Sequence, residues 1–264
     1  MYKVNVLRIA IFLSVLVHVN VYASACVKHS DESTRTPLVE LYTSEGCSSC
    51  PPADKWLSAL VPKVVAAEEL VALAFHVDYW DRLGWRDRFA APAYTSRQYE
   101  VAKINRSGFV FTPQVVVAGR NYGAWGGSSV QKELRAERAL LPDANIVLTQ
   151  KPVAADKAEF EVQAQLRQGV SAKEVRIYAA LFQNGLVSDV GKGENSGSRL
   201  RHDYVVRSLL ASKVIDQSGK IKFKDSFVLA EDGRVGEMGV AVFAQDVKTG
   251  AVLQAMSAPL CVNK

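Results

Sequence analysis

Hydrophobic and polar residues follow two different rhythms along this chain, one before and one after Pro142 and Asp143. In the first part, short apolar runs are separated by helical patterns. Residues 38–43 have strand composition, with Glu40 set among Leu38, Val39, Leu41 and Tyr42, and Gly46 breaks the run. Residues 54–61 bring Trp56, Leu57, Leu60 and Val61 onto one helical face. Residues 70–77 are almost continuously apolar and run through His76 and Val77 to Asp78, as in a strand buried on both faces. Residues 95–105 read as a helix and 113–117 as a third strand. Gly119, Arg120 and Asn121 turn into a short strand at Tyr122. Residues 128–141 form an amphipathic helix opened by Ser128 or Ser129. After a polar, irregular leader at 26–37, the order β-α-β-α-β-β-α predicts an α/β domain over residues 26–142, a mixed sheet flanked by helices.

Beyond residue 143 the period drops to two. Residues 159–167 alternate polar and apolar side chains, as a half-exposed antiparallel strand does. Residues 175–183, 221–229, 239–245 and 251–257 are further strands, separated by Gly, Ser, Asp and Asn turn signals. Residues 143–264 are therefore expected to be a small all-β, sandwich-like domain.

The first 25 residues stand apart from both parts. Lys3 and Arg8 precede an apolar run at 9–16, and Ala23, Ser24 and Ala25 supply a small-x-small cleavage pattern. This reads as a signal peptide over residues 1–25, and the mature chain is expected to be periplasmic or secreted. The run is well short of the roughly 20 residues of a spanning helix, so no membrane span is expected. Loss of Lys3 and Arg8 lowers the net charge from +5 to +3. That balance, with no basic run, argues against nucleic acid as a partner.

Export makes the four cysteines, Cys26, Cys47, Cys50 and Cys261, candidates for pairing. Cys26 follows the cleavage site directly, and two readings are open. It is either the lipidated first residue of an anchored protein or the partner of Cys261. Ala23 stands where lipoproteins usually carry Leu, and lipidation leaves Cys261 odd, so the Cys26–Cys261 disulfide is the favoured reading. Cys47 and Cys50 pair naturally with each other. Their Cys-x-x-Cys spacing also occurs in zinc sites, but no second ligand pair is present, and no metal site or cofactor is expected. The pair follows a buried strand and opens a helix, where unpaired N–H groups and the helix dipole favour thiolate over thiol. Cys47 is the expected nucleophile and Cys50 the resolving thiol. Pro51 and Pro52, tolerated only in a first helical turn, fix the helix start beside them. Thr112-Pro113, at the start of a strand, is a candidate cis peptide.

Cys47-Ser48-Ser49-Cys50 after the first strand and Thr112-Pro113 before the third resemble the thioredoxin superfamily. The segment from Val39 through Asp54 is similar to the signature of a family of secreted bacterial proteins known as domain of unknown function 1223. Residues His76 to Asp81, Gly84-Trp85, Thr112-Pro113-Gln114, Gly193 to Gly197, His202 and Val205-Val206-Arg207 match it too. The resemblance implies a thioredoxin-like fold and export, and no particular reaction. It implies that Pro113 lies against the cysteines and that the Thr112 backbone is free to pair with a substrate chain.

With the first two strands parallel and the third antiparallel, the loop at 78–85 is expected to wall the same sheet edge. Tyr79, Trp80 and Trp85 are then substrate-binding candidates, although the two tryptophans equally suit a core that closes the sheet end. Glu40 and His76 are candidate proton-relay residues. Glu40 equally suits an outward-facing edge position, and His76 a satisfied structural role. Asp54 reads as a dipole-complementing residue. The turn Glu194-Asn195-Ser196-Gly197 with His202 reads as a tight polar turn rather than as a loop docked on the redox edge. The leading expectation is an exported thiol–disulfide oxidoreductase whose partners are protein or small-molecule thiols and disulfides. Two alternatives stand beside it. One is a non-catalytic binding or scaffold protein with a static Cys47–Cys50 disulfide. The other is a copper-binding module using Cys47, Cys50 and His76.

Overall fold

A computed structural model describes residues 24–64, 70–127 and 129–263. The expected signal peptide lies outside the described residues except for Ser24 and Ala25, and so does Ser128. The first part contains β1 (Cys26–His29), β2 (Leu38–Thr43), α1 (Pro51–Val64), β3 (Val71–His76), α2 (Pro92–Ile104), β4 (Gln114–Val117), β5 (Arg120–Asn121) and α3 (Ser129–Arg138). The second contains β6 (Ala144–Gln150), β7 (Lys157–Leu166), β8 (Val175–Gln183), β9 (Leu186–Asp189), β10 (Arg199–His202) and β11 (Val205–Leu209). It continues with β12 (Lys213–Val214), β13 (Lys220–Val228), β14 (Met238–Asp246) and β15 (Val252–Pro259). The architecture is mixed α/β and rich in sheet.

β2 and β3 are buried along their whole length and pair in parallel, Leu38 opposite Val71 through Thr43 opposite His76. Burial on both faces is what their near-continuous apolar composition requires. β4 adds antiparallel to the other side of β2, with Tyr42 opposite Gln114. The alternating strands of the second part form a sandwich. The antiparallel sheet β1-β6-β7-β13 faces β8, β14 and β15 across a core that includes Ile146, Leu148, Val162, Ile177, Leu181, Phe227 and Val242.

The two parts share a sheet, which the sequence reading did not anticipate. Its order is β15-β14-β8-β11-β3-β2-β4-β5, with β12 beside β8. β11 is the joint. It lies antiparallel to β8 and parallel to β3, with Val205 opposite Ala74 and the Ala74 N–H donating to the Tyr204 carbonyl at 2.8 Å. Without β11 the ladder edge of β3 would be an apolar strand left unpaired. The joint escapes a sequence reading because β11 is short and bulged around Arg207, which breaks the period of two. β1 is missed for a different reason. Its side chains are mostly exposed, and backbone pairing with β6 makes it a strand.

One face of the large sheet carries α2 along both halves; Tyr94 and Val101 pack with Leu38, Tyr42, Phe75, Tyr178 and Phe243. The other face carries α1 and α3 over the first half, where Leu57, Leu60 and Leu134 meet Val39, Leu41 and Val115. Arg97 of α2 is buried between the halves. Its Nε donates to Glu40 Oε1 at 2.6 Å, its Nη2 to Gln245 Oε1 at 3.3 Å, and its guanidinium lies 4.8 Å and 5.0 Å from the ring centroids of Tyr178 and Phe243. The sheet curls around α2 until the turn after β4 meets the turn before β15. At Gly119 φ is +84°, and an added Cβ would stand 1.8 Å from the Gly250 carbonyl oxygen. Glycine is required there by conformation and by space alike.

Candidate functional site

The chain leaves β2 at Thr43 and turns through Ser44, Glu45 and Gly46 before entering α1. The Cys47 N–H donates to the Ser44 carbonyl, and the N–H groups of Ala53 and Asp54 donate to Cys50. Cys50 therefore stands at the helix start, with Pro51 and Pro52 in the first turn where their missing N–H groups cost nothing. Cys47 and Cys50 are disulfide-bonded with Cα atoms 5.4 Å apart. Both are 0 % exposed, whereas Ser48 and Ser49 between them are exposed.

The Thr112–Pro113 peptide is cis. The pairing of Tyr42 with Gln114 brings Pro113 to the sheet edge where β2 runs into the cysteines. Trp80 links the two. A Cβ on Gly46 would lie 3.2 Å from the Trp80 Cβ, and Trp80 Nε1 donates to Thr112 Oγ1 at 2.8 Å. Trp85 binds from the other side, its Nε1 donating to Glu45 Oε2 at 2.8 Å. Both tryptophans and Tyr79 are half-buried, and Tyr79 and Trp80 pack against the core beneath α2. The loop at 78–85 thus both closes the sheet end and borders the cysteine motif.

The two relay candidates part company. Glu40 shares its face of β2 with Leu38 and Tyr42, toward α2, whereas Val39 and Leu41 face α1. It is held by Arg97 and accepts a hydrogen bond from the Tyr42 hydroxyl at 3.3 Å. The structure therefore does not set Glu40 beneath the cysteines, because strand alternation sends it to the opposite face. Burial and the Glu40 charge push the Tyr42 hydroxyl well above its ordinary pKa.

His76 lies on the face that Glu40 does not share, inside a buried cluster that sequence reasoning did not assemble. Its Nδ1 is 2.6 Å from Asp87 Oδ2, and Asp87 also accepts the N–H groups of Glu45 and Phe89. Burial works against the Asp87 carboxylate, but His76 and these N–H groups hold its pKa below the usual value. The His76 ring stands edge-on to His202, with centroids 4.9 Å apart. His202 comes from the second part of the chain, at the end of β10. It lies 3.4 Å from Glu45 Oε1 and 3.8 Å from Asp54 Oδ2, at ion-pair distance without hydrogen-bond alignment. Burial alone would lower the His202 pKa, but Asp54 and Glu45 outweigh it and raise the value to about 10. Glu45 responds in the opposite sense. Burial raises its pKa, but His202 and the Trp85 N–H are among the partners that bring it below the ordinary value. Asp54 is buried and accepts a hydrogen bond from Thr43 Oγ1 at 3.2 Å, a role beyond complementing the helix dipole.

The loop between β9 and β10 also reaches the motif. Asn195 Nδ2 donates to the carbonyls of Glu45 and Cys47 at 2.9 Å and 3.0 Å, and the Ser48 N–H donates to Glu194 Oε2 at 2.9 Å. This segment is a tight turn, with φ of +77° at Gly193 and +81° at Gly197, and it docks as well. Its family match was the one signal that set it apart in the sequence. Among the described residues, no group of three or more His, Cys, Asp or Glu is arranged to hold a metal ion. His76, the third ligand of the copper reading, turns its Nδ1 to Asp87 instead.

Away from this site, Cys26 and Cys261 are bonded with Cα atoms 5.7 Å apart, as the favoured reading expected, so Cys261 is not an odd thiol. No helix among the described residues is long and apolar enough to cross a membrane.

A family model described as a protein of unknown function, DUF1223, matches residues 38–245. An Agrobacterium tumefaciens protein of known crystal structure is similar over 89% of this chain and 97% of its own, with a TM-score of 0.58 at 24% identity. HBP35 of Porphyromonas gingivalis is similar over 88% of this chain and 78% of its own, with a TM-score of 0.67 at 14% identity. At such identities these likenesses concern the fold alone. No curated protein matches the chain.

Proposed function

The chain belongs to the DUF1223 family, which is defined without an activity, and from its site we propose that it is an exported thiol–disulfide oxidoreductase acting through Cys47 and Cys50. The observation that carries the proposal is the placement of the pair. The two cysteines lie directly before α1 at the end of a central parallel strand, at the sheet edge where Thr112 and Pro113 enter β4. On this reading residues 26–142 are a thioredoxin-like unit, and the backbone at Thr112 is where a partner chain lies. Just before Thr112 in the chain, the exposed rings of Phe109 and Phe111 pack together with centroids 5.8 Å apart, which suits a polypeptide partner.

The exchange is a two-step transfer. A substrate thiolate attacks Cys47 Sγ, forming a mixed disulfide and releasing Cys50 as a thiolate. A second substrate thiolate then attacks the substrate sulfur of that mixed disulfide. The substrate leaves as a disulfide, the pair is left reduced, and two electrons have moved. A disulfide of a further partner re-oxidises the pair by the reverse steps. The helix start favours the released thiolate.

Replacement Cys47→Ser is expected to abolish turnover of a model disulfide substrate, and full activity in that variant would sink the mechanism. The reduction potential of the pair, set in glutathione and dithiothreitol buffers and read by thiol trapping, is expected between about −120 and −270 mV. The complete burial of both cysteines favours one other reading, a static disulfide in a binding protein. A potential below about −300 mV would select that reading instead.

A further inference from the structure

The buried cysteine pair lies in a motif that a distant segment of the chain holds by its backbone. Of the two residues between the cysteines, both side chains are exposed, so the motif itself faces solvent while its sulfur-bearing residues do not. The turn at 190–198 between β9 and β10, from the other half of the chain, docks on the backbone of this motif. Asn195 is buried and bridges the carbonyls of Glu45 and Cys47, and Glu194 takes the Ser48 N–H. Gly193 and Gly191 lie against Trp85, at 3.3 Å and 3.5 Å for an added Cβ. The turn is closed on itself by Gly197 N–H to the Val190 carbonyl and Val190 N–H to the Ser198 carbonyl.

This turn rests on a slender element. β9 and β10 form a two-stranded sheet of their own, joined to neither large sheet by strand pairing. Such a hairpin is marginal by itself, and its buried apolar side chains are Leu186, Val190 and Leu200. The stem is pinned at its base, where the Gly185 N–H donates to Asp203, the Tyr204 N–H donates to Asn184, and His202 is ion-paired. The tip is held to the motif by the three hydrogen bonds of Asn195 and Glu194. Beyond Asp189 and Arg199, an exposed ion pair at 3.4 Å, the segment buries one apolar side chain, Val190, so lifting it costs that contact together with the three hydrogen bonds.

Attack on a disulfide requires the incoming sulfur to approach along the S–S axis, and a pair with no exposed surface offers no such path. We propose that the turn at 190–198 is a retractable cap, latched by Asn195 and Glu194, whose withdrawal admits a thiol to Cys47. The proposal rests on the exchange reading given above, for it says how that same site is opened. The second half of the chain thereby decides when the redox pair is available and what size of partner reaches it.

The rate at which dithiothreitol reduces Cys47–Cys50 in the folded protein tests the cap. Acid quenching, thiol trapping and mass spectrometry of peptides separate this bond from Cys26–Cys261. Glu194 is exposed, so Glu194→Ala leaves the core intact, and its reduction is expected to run about threefold to tenfold faster than wild type. Asn195→Ala, which loses two hydrogen bonds, is expected to be faster still. Amide exchange across β3 and β8, unchanged in both variants, is the expected companion result. Wild-type rates in both variants overturn the proposal, and so does faster reduction accompanied by faster exchange throughout β3 and β8, the mark of global loosening. The assay reads access and needs no turnover. Faster reduction in variants that never exchange thiols with a substrate keeps the cap and removes the oxidoreductase.

Discussion

At the scale of single residues, two buried charges decide how the interior is held. His202 sits among Glu45, Asp54, His76 and Asp87, and its pKa is raised to about 10 by the first two of the acids. A group whose pKa rises on folding stabilises the fold fully below its unfolded value, near 6.5, and loses that contribution as the pH climbs through its folded value. Glu45 and Asp87 work with the opposite sign, since their pKa values fall on folding. Their contribution is present above the ordinary carboxylate range and fades in acid. His202→Gln is therefore expected to cost about 3–5 kcal/mol near neutral pH. The gap from wild type should narrow as the pH is raised from 7 toward 10.5, measured by urea unfolding at each pH. A gap independent of pH would remove the ion-pair account. Arg97 supplies the second case. Arg97→Met strands Glu40 in the core and is expected to lose about 3–5 kcal/mol, whereas pairing it with Glu40→Leu should return most of that. These partnerships were only half legible in the sequence. Glu40 and His76 stood out because a carboxylate and an imidazole in apolar strands demand partners. The partners, Arg97, Asp87 and His202, lie 57, 11 and 126 positions away, and no local pattern points to them.

At the scale of elements, the strands and helices whose periods are clean were readable to within a few residues. β8 spans Val175–Gln183, as its apolar run indicates, and α1 begins at Pro51, where the prolines fix its start. What local patterns could not show is made by long-range backbone pairing. β1 has almost no buried side chain, β11 is bulged, and β9 with β10 pairs only within its own hairpin. The candidate site divides along the same line. Cys47, Cys50 and Pro113 were visible from spacing and residue type, whereas the hydrogen bonds of Asn195 to the Glu45 and Cys47 carbonyls depend on docking between distant segments. Turns also carry weight at this scale. The turn after β4 accepts glycine alone, because a Cβ at position 119 meets the Gly250 carbonyl. Gly119→Ala is expected to cost well over the roughly 1 kcal/mol of an unfavourable φ, with a lowered urea midpoint as the readout. Gly123→Ala in the same region has open space around it and serves as the comparison. An equal, small effect at both positions would show that the sheet does not close on itself there.

At the scale of the whole molecule, the large sheet passes through both halves of the chain, and the halves are expected to unfold together. The Cys26–Cys261 disulfide, 235 positions apart in sequence, closes nearly the entire described chain. Replacing both cysteines with serine is expected to lower stability by about 2–5 kcal/mol while leaving Cys47–Cys50 in place. A single unfolding transition at lower denaturant is the expected result; two separate transitions would mean that the halves fold independently. The bond between the ends also gives the molecule an unusual response to force. A pull applied at residues 26 and 261 runs through one covalent link and bypasses the hydrogen-bond ladders of both sheets. The fold then bears no load until a reductant cuts that link, and tension becomes transmissible to β1 and β15 only afterwards. Mechanical toughness in this protein is thus a property of the surrounding redox chemistry as much as of the fold.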